Sequence, residues 1–141
     1  MNYNKKAEEI FETLTKRKKY IGELSSNISQ GESGVLLYLL NVNSNVSQSE
    51  LSEKLGVTMP RIVAVINTLQ KKELIEKNVD STDKRKSIIS ITKKGKNNII
   101  KKKKDAIKFI ENVIKELDEQ EIEQYIAISK KIERISNKIE V

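Results

Sequence analysis

The sequence predicts a mainly α-helical protein that carries one small β-hairpin. Three observations predict it. Apolar residues recur at three- and four-residue steps through most of the 141 residues. Ser-x-x-Glu or Asp-x-x-Glu patterns stand where those periodic stretches begin. Only between Leu74 and Ile91 does the spacing give way to two short, isoleucine- and valine-bearing runs separated by a polar turn-forming segment.

From Asn4 to Ile28 the apolar positions are Ala7, Ile10, Phe11, Leu14, Ile21, Leu24 and Ile28, interrupted at Arg17 and Lys18, which predicts one long helix. A stripe of this kind reads as packing surface before it reads as a cofactor site, and a second subunit can supply what it packs against. Ser29 to Glu32 repeats the capping-box pattern, and Val35, Leu36, Leu37, Leu39 and Leu40 make the helix that follows apolar on most sides, as suits an interior element. Asn41 to Asn45 is a polar loop leading to Val46.

Val46 to Leu74 reads as two helices joined by a tight turn. Ser47 and Glu50 have capping-box spacing, Leu51 and Leu55 share one face, and Gly56 is the residue best suited to the left-handed conformation that ends a helix. Val57 is expected to plug into the core. Thr58 is expected to cap the second helix, Pro60 sits in its first turn where a missing N–H costs nothing, and Ile62, Val65, Ile66 and Leu69 form its buried stripe. Thr58, Met59 and Arg61 begin the opposite face. After this helix-turn-helix, Leu74–Val79 and Ser87–Ile91 are strand-like, and the turn between them carries Lys84, Arg85 and Lys86 together. A hairpin in that place is a wing, and long cations at its tip suit a minor groove, where negative potential is enhanced.

Thr92 is placed to cap a further helix of about 25 residues, roughly 37 Å long, with Ile99, Ile100, Ala106, Ile107, Ile110, Val113, Ile114 and Leu117 as its stripe. Lys101 to Lys104 interrupt that stripe; they read as a solvated face or as phosphate contacts. Asp118 to Glu121 caps a last helix bearing Ile122, Tyr125, Ile126, Ile132, Ile135 and Ile139. Stripes this long leave too much apolar surface uncovered in so short a chain, so a homodimer built from the terminal helices is expected.

Composition narrows the function. The chain is 37% hydrophobic and 33% charged, with a net charge of +7 and a pI near 9.5. Such a balance favours an anionic partner, although Lys, Asn and Ile have AT-rich codons and part of the lysine excess is open to that reading. Cysteine and histidine are absent, which removes disulfides, thiol redox sensing, Cys or His metal sites and His-dependent acid–base chemistry. No glycine-rich phosphate loop or Gly-x-Ser-x-Gly motif is present, and Asp80 and Asp83 sit on a turn without a third ligand, so neither an enzyme nor a cofactor is expected. Met1 to Lys6 leads into charge, and no run of about 18 apolar residues appears, which predicts a cytoplasmic protein with no membrane partner.

Residues 29–95 resemble the winged helix-turn-helix of MarR-family transcriptional regulators. The SQSEL helix, the GVTMP turn, the Lys-Lys-Glu-Leu-Ile exit at 71–75, the Asp80–Arg85 wing and Ile-Thr-Lys-Lys-Gly at 91–95 carry the resemblance. The family's wing usually reads Asp-x-x-Asp-Arg-Arg; Asp80, Asp83 and Arg85 match, while Lys84 replaces an arginine, keeping charge and losing a planar fork. The resemblance implies one domain over 1–141, with the winged helix-turn-helix at 29–95 and dimerisation helices at 4–28 and 93–139. It implies a homodimer that places each second helix in a major groove of double-stranded DNA and each wing in a flanking minor groove, reading a pseudopalindrome. The expected DNA-contacting set is Ser47, Thr58, Met59, Pro60, Arg61, Asn67, Lys84, Arg85 and Lys86. It further implies repression relieved by a small aromatic or anionic effector, in a crevice to which Tyr20, Leu36 and Tyr38 are candidates, each of which also reads as ordinary core. Without cysteine, that response is non-covalent. A winged-helix adaptor that binds protein instead of DNA is the other reading; it has no need of Thr58, Arg61 and Asn67 beside a cationic wing.

Overall fold

The structure is a computed structural model that describes residues 1–15 and 31–139. Among them are helices α1 (Tyr3–Thr15), α2 (Glu32–Val42), α3 (Gln48–Leu55), α4 (Met59–Lys71), α5 (Lys93–Ile114) and α6 (Glu119–Ser136), and strands β1 (Val46–Ser47), β2 (Ile75–Val79) and β3 (Ser87–Ile91). The expected class, mainly helical with a small hairpin, holds. The second half of the predicted first helix, Tyr20 and Ser29 lie outside the described residues. The chain forms two compact units, Met1–Lys102 and Lys103–Val141.

The core of the first unit is built where the periodicity placed it. Leu36 and Leu39 of α2, Leu51 of α3, Ile62, Ile66 and Leu69 of α4, and Ile75 and Ile89 of the sheet are fully buried. Each such side chain contributes about 1.5–3 kcal/mol by leaving water. The sheet has three strands in the order β1-β3-β2, all antiparallel, so β3 is central. Val46 pairs with Ile89 and Ser47 with Ile88, a two-residue strand where the sequence predicts the direct opening of the helix-turn-helix. Two residues carry no periodicity to detect.

The capping expectations divide. Asp118 and Glu121 form a complete capping box, and the Thr92 hydroxyl accepts the Gly95 amide at 3.0 Å. Ser47 accepts the Glu50 amide at 3.1 Å, but the Glu50 carboxylate does not close the box; it accepts the Tyr38 hydroxyl of α2 at 2.9 Å, because α2 brings a stronger partner within reach. Thr58 takes the N-cap position without a side-chain bond, its backbone carbonyl alone accepting the Ile62 amide. The start of α2 is also corrected: Gly31 is its N-cap, with no side-chain cap, and Glu32 pairs instead with Lys72 at 2.8 Å. Between α3 and α4, Gly56 is left-handed (φ 62°) and the Ser52 hydroxyl donates to the Val57 carbonyl at 2.6 Å, which seats Val57 in the core as expected.

The exit of α4 is fastened to the first turn of α5. Glu73 has a left-handed backbone (φ 61°), a conformation that costs a residue with a side chain about 1–2 kcal/mol. Its carbonyl accepts the Thr92 hydroxyl at 2.8 Å, the Leu74 carbonyl accepts the Thr92 amide at 3.1 Å, and Lys94 Nζ donates to the Lys72 carbonyl at 3.0 Å. Gly95 completes the joint. A Cβ there would run into the Leu74 carbonyl oxygen and come within 2.9 Å of Ile91 Cγ1.

In the second unit, α6 and the later part of α5 are amphipathic but have little to cover them. Ile110, Val113, Tyr125, Ile132 and Ile135 are all exposed in the single chain, as are Ile10, Phe11 and Leu14 of α1 in the first unit. Lys101 to Lys104 are exposed too.

Replacing Gly95 by Ala gives a clean test of the α4–α5 joint. Helix propensity alone would stabilise the protein by ~1 kcal/mol, whereas the clash predicts a loss of about 2 kcal/mol. The midpoint of chemical denaturation decides between the two signs.

Candidate nucleic-acid interface

The first turn of α4 emerges from a rigid base. Ile62, Ile66 and Leu69 hold one side of the helix in the core, so the positions between them must face out. Thr58, Met59, Pro60, Arg61 and Asn67 are all exposed, as the sequence predicted. Arg61 has no acidic partner among the described residues, which leaves its guanidinium free for an external acceptor. Asn67 is about 120° around the helix from Arg61 at 100° per residue, so the two flank a face and do not stack on one line. Ala64, Thr68 and Lys71 fill that face and were missed. The signal was available in the buried stripe, whose complement includes them. Thr68 donates its hydroxyl to the Ala64 carbonyl at 3.1 Å.

Ser47 is half-buried at the start of α3, where its Oγ accepts from Glu50 and its hydroxyl proton remains available to an acceptor outside. Tyr38, half-buried, ties α2 to this end of α3 through Glu50; burial first, and then the bond to the carboxylate, push its phenol above the ordinary tyrosine range. Leu36 is fully enclosed in the core.

The wing is built by its two aspartates. The Asp80 carboxylate accepts both the amide and the hydroxyl of Thr82 at 2.8 Å, and its backbone N–H donates to the Lys86 carbonyl at 3.0 Å. The Thr82 amide, then the Thr82 hydroxyl, hold the Asp80 carboxyl below the usual carboxylate range. Asp83 accepts the Arg85 amide at 3.0 Å and its Nε at 3.3 Å, while the Lys86 amide donates to the Asp83 carbonyl at 3.0 Å. Asp83 therefore both closes the turn and orients the arginine. Both acids are occupied within the turn, and Lys84, Arg85 and Lys86 project into solvent, the Arg85 side chain 92% exposed. Among the described residues no group of three acidic side chains could hold a metal ion, and no helix is long and apolar enough to cross a membrane.

Residues 26–86 match the model of the MarR family. A comparison with curated proteins finds no match. Among solved structures, the transcriptional regulator BldR from Sulfolobus solfataricus is 18% identical, with a TM-score of 0.69 over 95% of this chain and 99% of that one. MepR, a transcription regulator of the Staphylococcus aureus multidrug efflux pump MepA, is 20% identical, with a TM-score of 0.65 over 87% of this chain and 93% of that one. The same protein in a complex with DNA is 22% identical, with a TM-score of 0.65 over 91% and 94%. At these identities the likeness is one of fold, and the relatives are regulators of transcription, not enzymes. Residues 26–86 thus match the MarR family in sequence, and the chain shares the fold of these transcriptional regulators.

Proposed function

We propose that the chain is a cytoplasmic, homodimeric repressor that reads a pseudopalindromic operator, with α4 of each subunit in a major groove and each wing in a flanking minor groove. The observation that carries this reading is the combination of an unpartnered, exposed Arg61 at the open end of α4 with three consecutive exposed cations, Lys84, Arg85 and Lys86, at the tip of the wing. A MepR structure of the same fold holds DNA, which supports the docking mode. The dimer is supported by the uncovered apolar stripes of α1, α5 and α6, whose exposed isoleucines a second copy would remove from water. Terminal segments 4–28 and 93–139 are the assigned interface.

Relief by a small aromatic or anionic effector belongs to the same proposal. Tyr38, half-buried on α2, is the candidate contact; Leu36 is enclosed in the core and would need to be uncovered to touch an effector, and Tyr20, the third candidate, lies outside the described residues. A hundredfold loss of DNA affinity on effector binding requires ~2.7 kcal/mol of coupling, supplied by tighter effector binding to the DNA-incompetent spacing of the two α4 helices.

A mobility shift on DNA upstream of the protein's own gene tests the reading; an adaptor would give no sequence-dependent shift. In that assay Arg61→Ala should weaken operator binding by ~1–3 kcal/mol, as loss of a bidentate guanine contact does, with little change on unrelated DNA. Equal loss on both DNAs would make Arg61 a phosphate contact. Arg85→Ala should flatten the log–log salt dependence of binding by about one unit. An unchanged slope and affinity would show that the wing does not reach DNA.

A further inference from the structure

The joint between α4 and α5 is built from groups outside the proposed DNA-contacting set, and it fastens the exit of α4 to the start of α5. Thr92 bonds to three residues: its hydroxyl donates to the Glu73 carbonyl and accepts the Gly95 amide, and its amide donates to the Leu74 carbonyl. Lys94 adds a bond to the Lys72 carbonyl and lies 3.8 Å from the Glu73 carboxylate. Lys72, Glu73 and Leu74 are the three residues that immediately follow α4. The last carbonyls of a helix have no partners inside it, and the chain just beyond them normally frays into water. Here the carbonyls of all three residues are claimed by the start of α5, and the left-handed turn at Glu73 is retained at an energetic cost. That expenditure is unnecessary for a simple connection between helix and strand.

We propose that Thr92 and Lys94 are positioning residues for operator recognition. They act through the backbone of Lys72–Leu74 to hold α4 at one angle on the winged domain, so that base-edge contacts from its far end meet their acceptors in register. This rests on the DNA-reading function proposed above. A bidentate base contact tolerates little angular error, whereas attraction to phosphates is non-directional. Loosening the joint therefore lowers specific affinity and spares non-specific affinity.

The test uses the full-length protein with three substitutions: Thr92→Val, which keeps shape and removes the hydroxyl; Thr92→Ser, which restores it; and Lys94→Met. Operator and non-specific dissociation constants are measured for each, with amide hydrogen exchange at Glu73 and Leu74 as a readout independent of DNA. The expected result is faster exchange at those two amides in Thr92→Val, about a tenfold loss on operator, no change on non-specific DNA, and wild-type behaviour in Thr92→Ser. A loss of folded protein alone would lower both affinities together and leave their ratio intact. Should Thr92→Val fail to fold, Lys94→Met, which removes only an exposed bond, gives the same comparison with a smaller loss. An unchanged specific-to-non-specific ratio in a folded variant overturns the proposal, as does unchanged exchange at Glu73 and Leu74. If the wild-type protein itself shows no operator preference, it is the function proposed above that fails, and the exchange measurement still decides whether Thr92 holds the joint.

Discussion

The contact on which the winged domain depends is that between the backbone of Gly95 and the Leu74 carbonyl. Only a residue without a side chain lets the first turn of α5 lie this close to the segment leaving α4. Once it does, Thr92 reaches the Glu73 and Leu74 carbonyls, β3 ends where α5 must begin, and β2 starts directly below the end of α4. The hairpin between them is then forced to project from that fixed base, with its tip formed by Asp80 to Lys86. Two features that a DNA reader has to hold apart at a set distance, a helix end and a cationic tip, are thus placed by one close approach.

Charge is distributed to suit this frame. The acidic residues near the proposed interface are spent on internal bonds: Glu50 on Tyr38, Asp80 on Thr82, Asp83 on Arg85. Of these only Asp83–Arg85 is an ion pair, and an exposed pair of this sort contributes little stability. Arg61 and Lys84 are left without an ion-pair partner among the described residues, and Lys86 stays exposed beside Asp80. The net charge of +7 then has a local counterpart at the two points where an anion would be met.

Much of this was legible in the residues. Ile62, Ile66 and Leu69 declared the buried side of α4 through their spacing, and Gly56 and Asp118 declared a helix end and a helix start through their chemistry. The β-hairpin was legible because isoleucine and valine runs flank a turn rich in Asp, Ser and Thr. What sequence periodicity could not carry were contacts between segments distant in the chain. Glu50 has the spacing of a capping-box residue, and nothing local reveals that Tyr38 will take its carboxylate. Thr58 has the chemistry of a cap but not the geometry. The Ile-Thr-Lys-Lys-Gly run and the Lys-Lys-Glu-Leu-Ile exit stand in the sequence as two separate motifs; that they are the two halves of a single joint appears only in three dimensions. Of the expected DNA-contacting residues, those of α4 and the wing are exposed as anticipated, while Asn67 lies on a different line of the helix from Arg61.

The central claim is that α4 reads bases in the major groove while the wing occupies the minor groove beside it. Methylation interference addresses both at once, because guanine N7 lies on the floor of the major groove and adenine N3 on that of the minor groove. The account predicts interference at guanine N7 in two patches about one helical turn apart, 10–10.5 base pairs or a multiple of it, with interference at adenine N3 on the outer flank of each. Binding that no methyl group in either groove disturbs would contradict it.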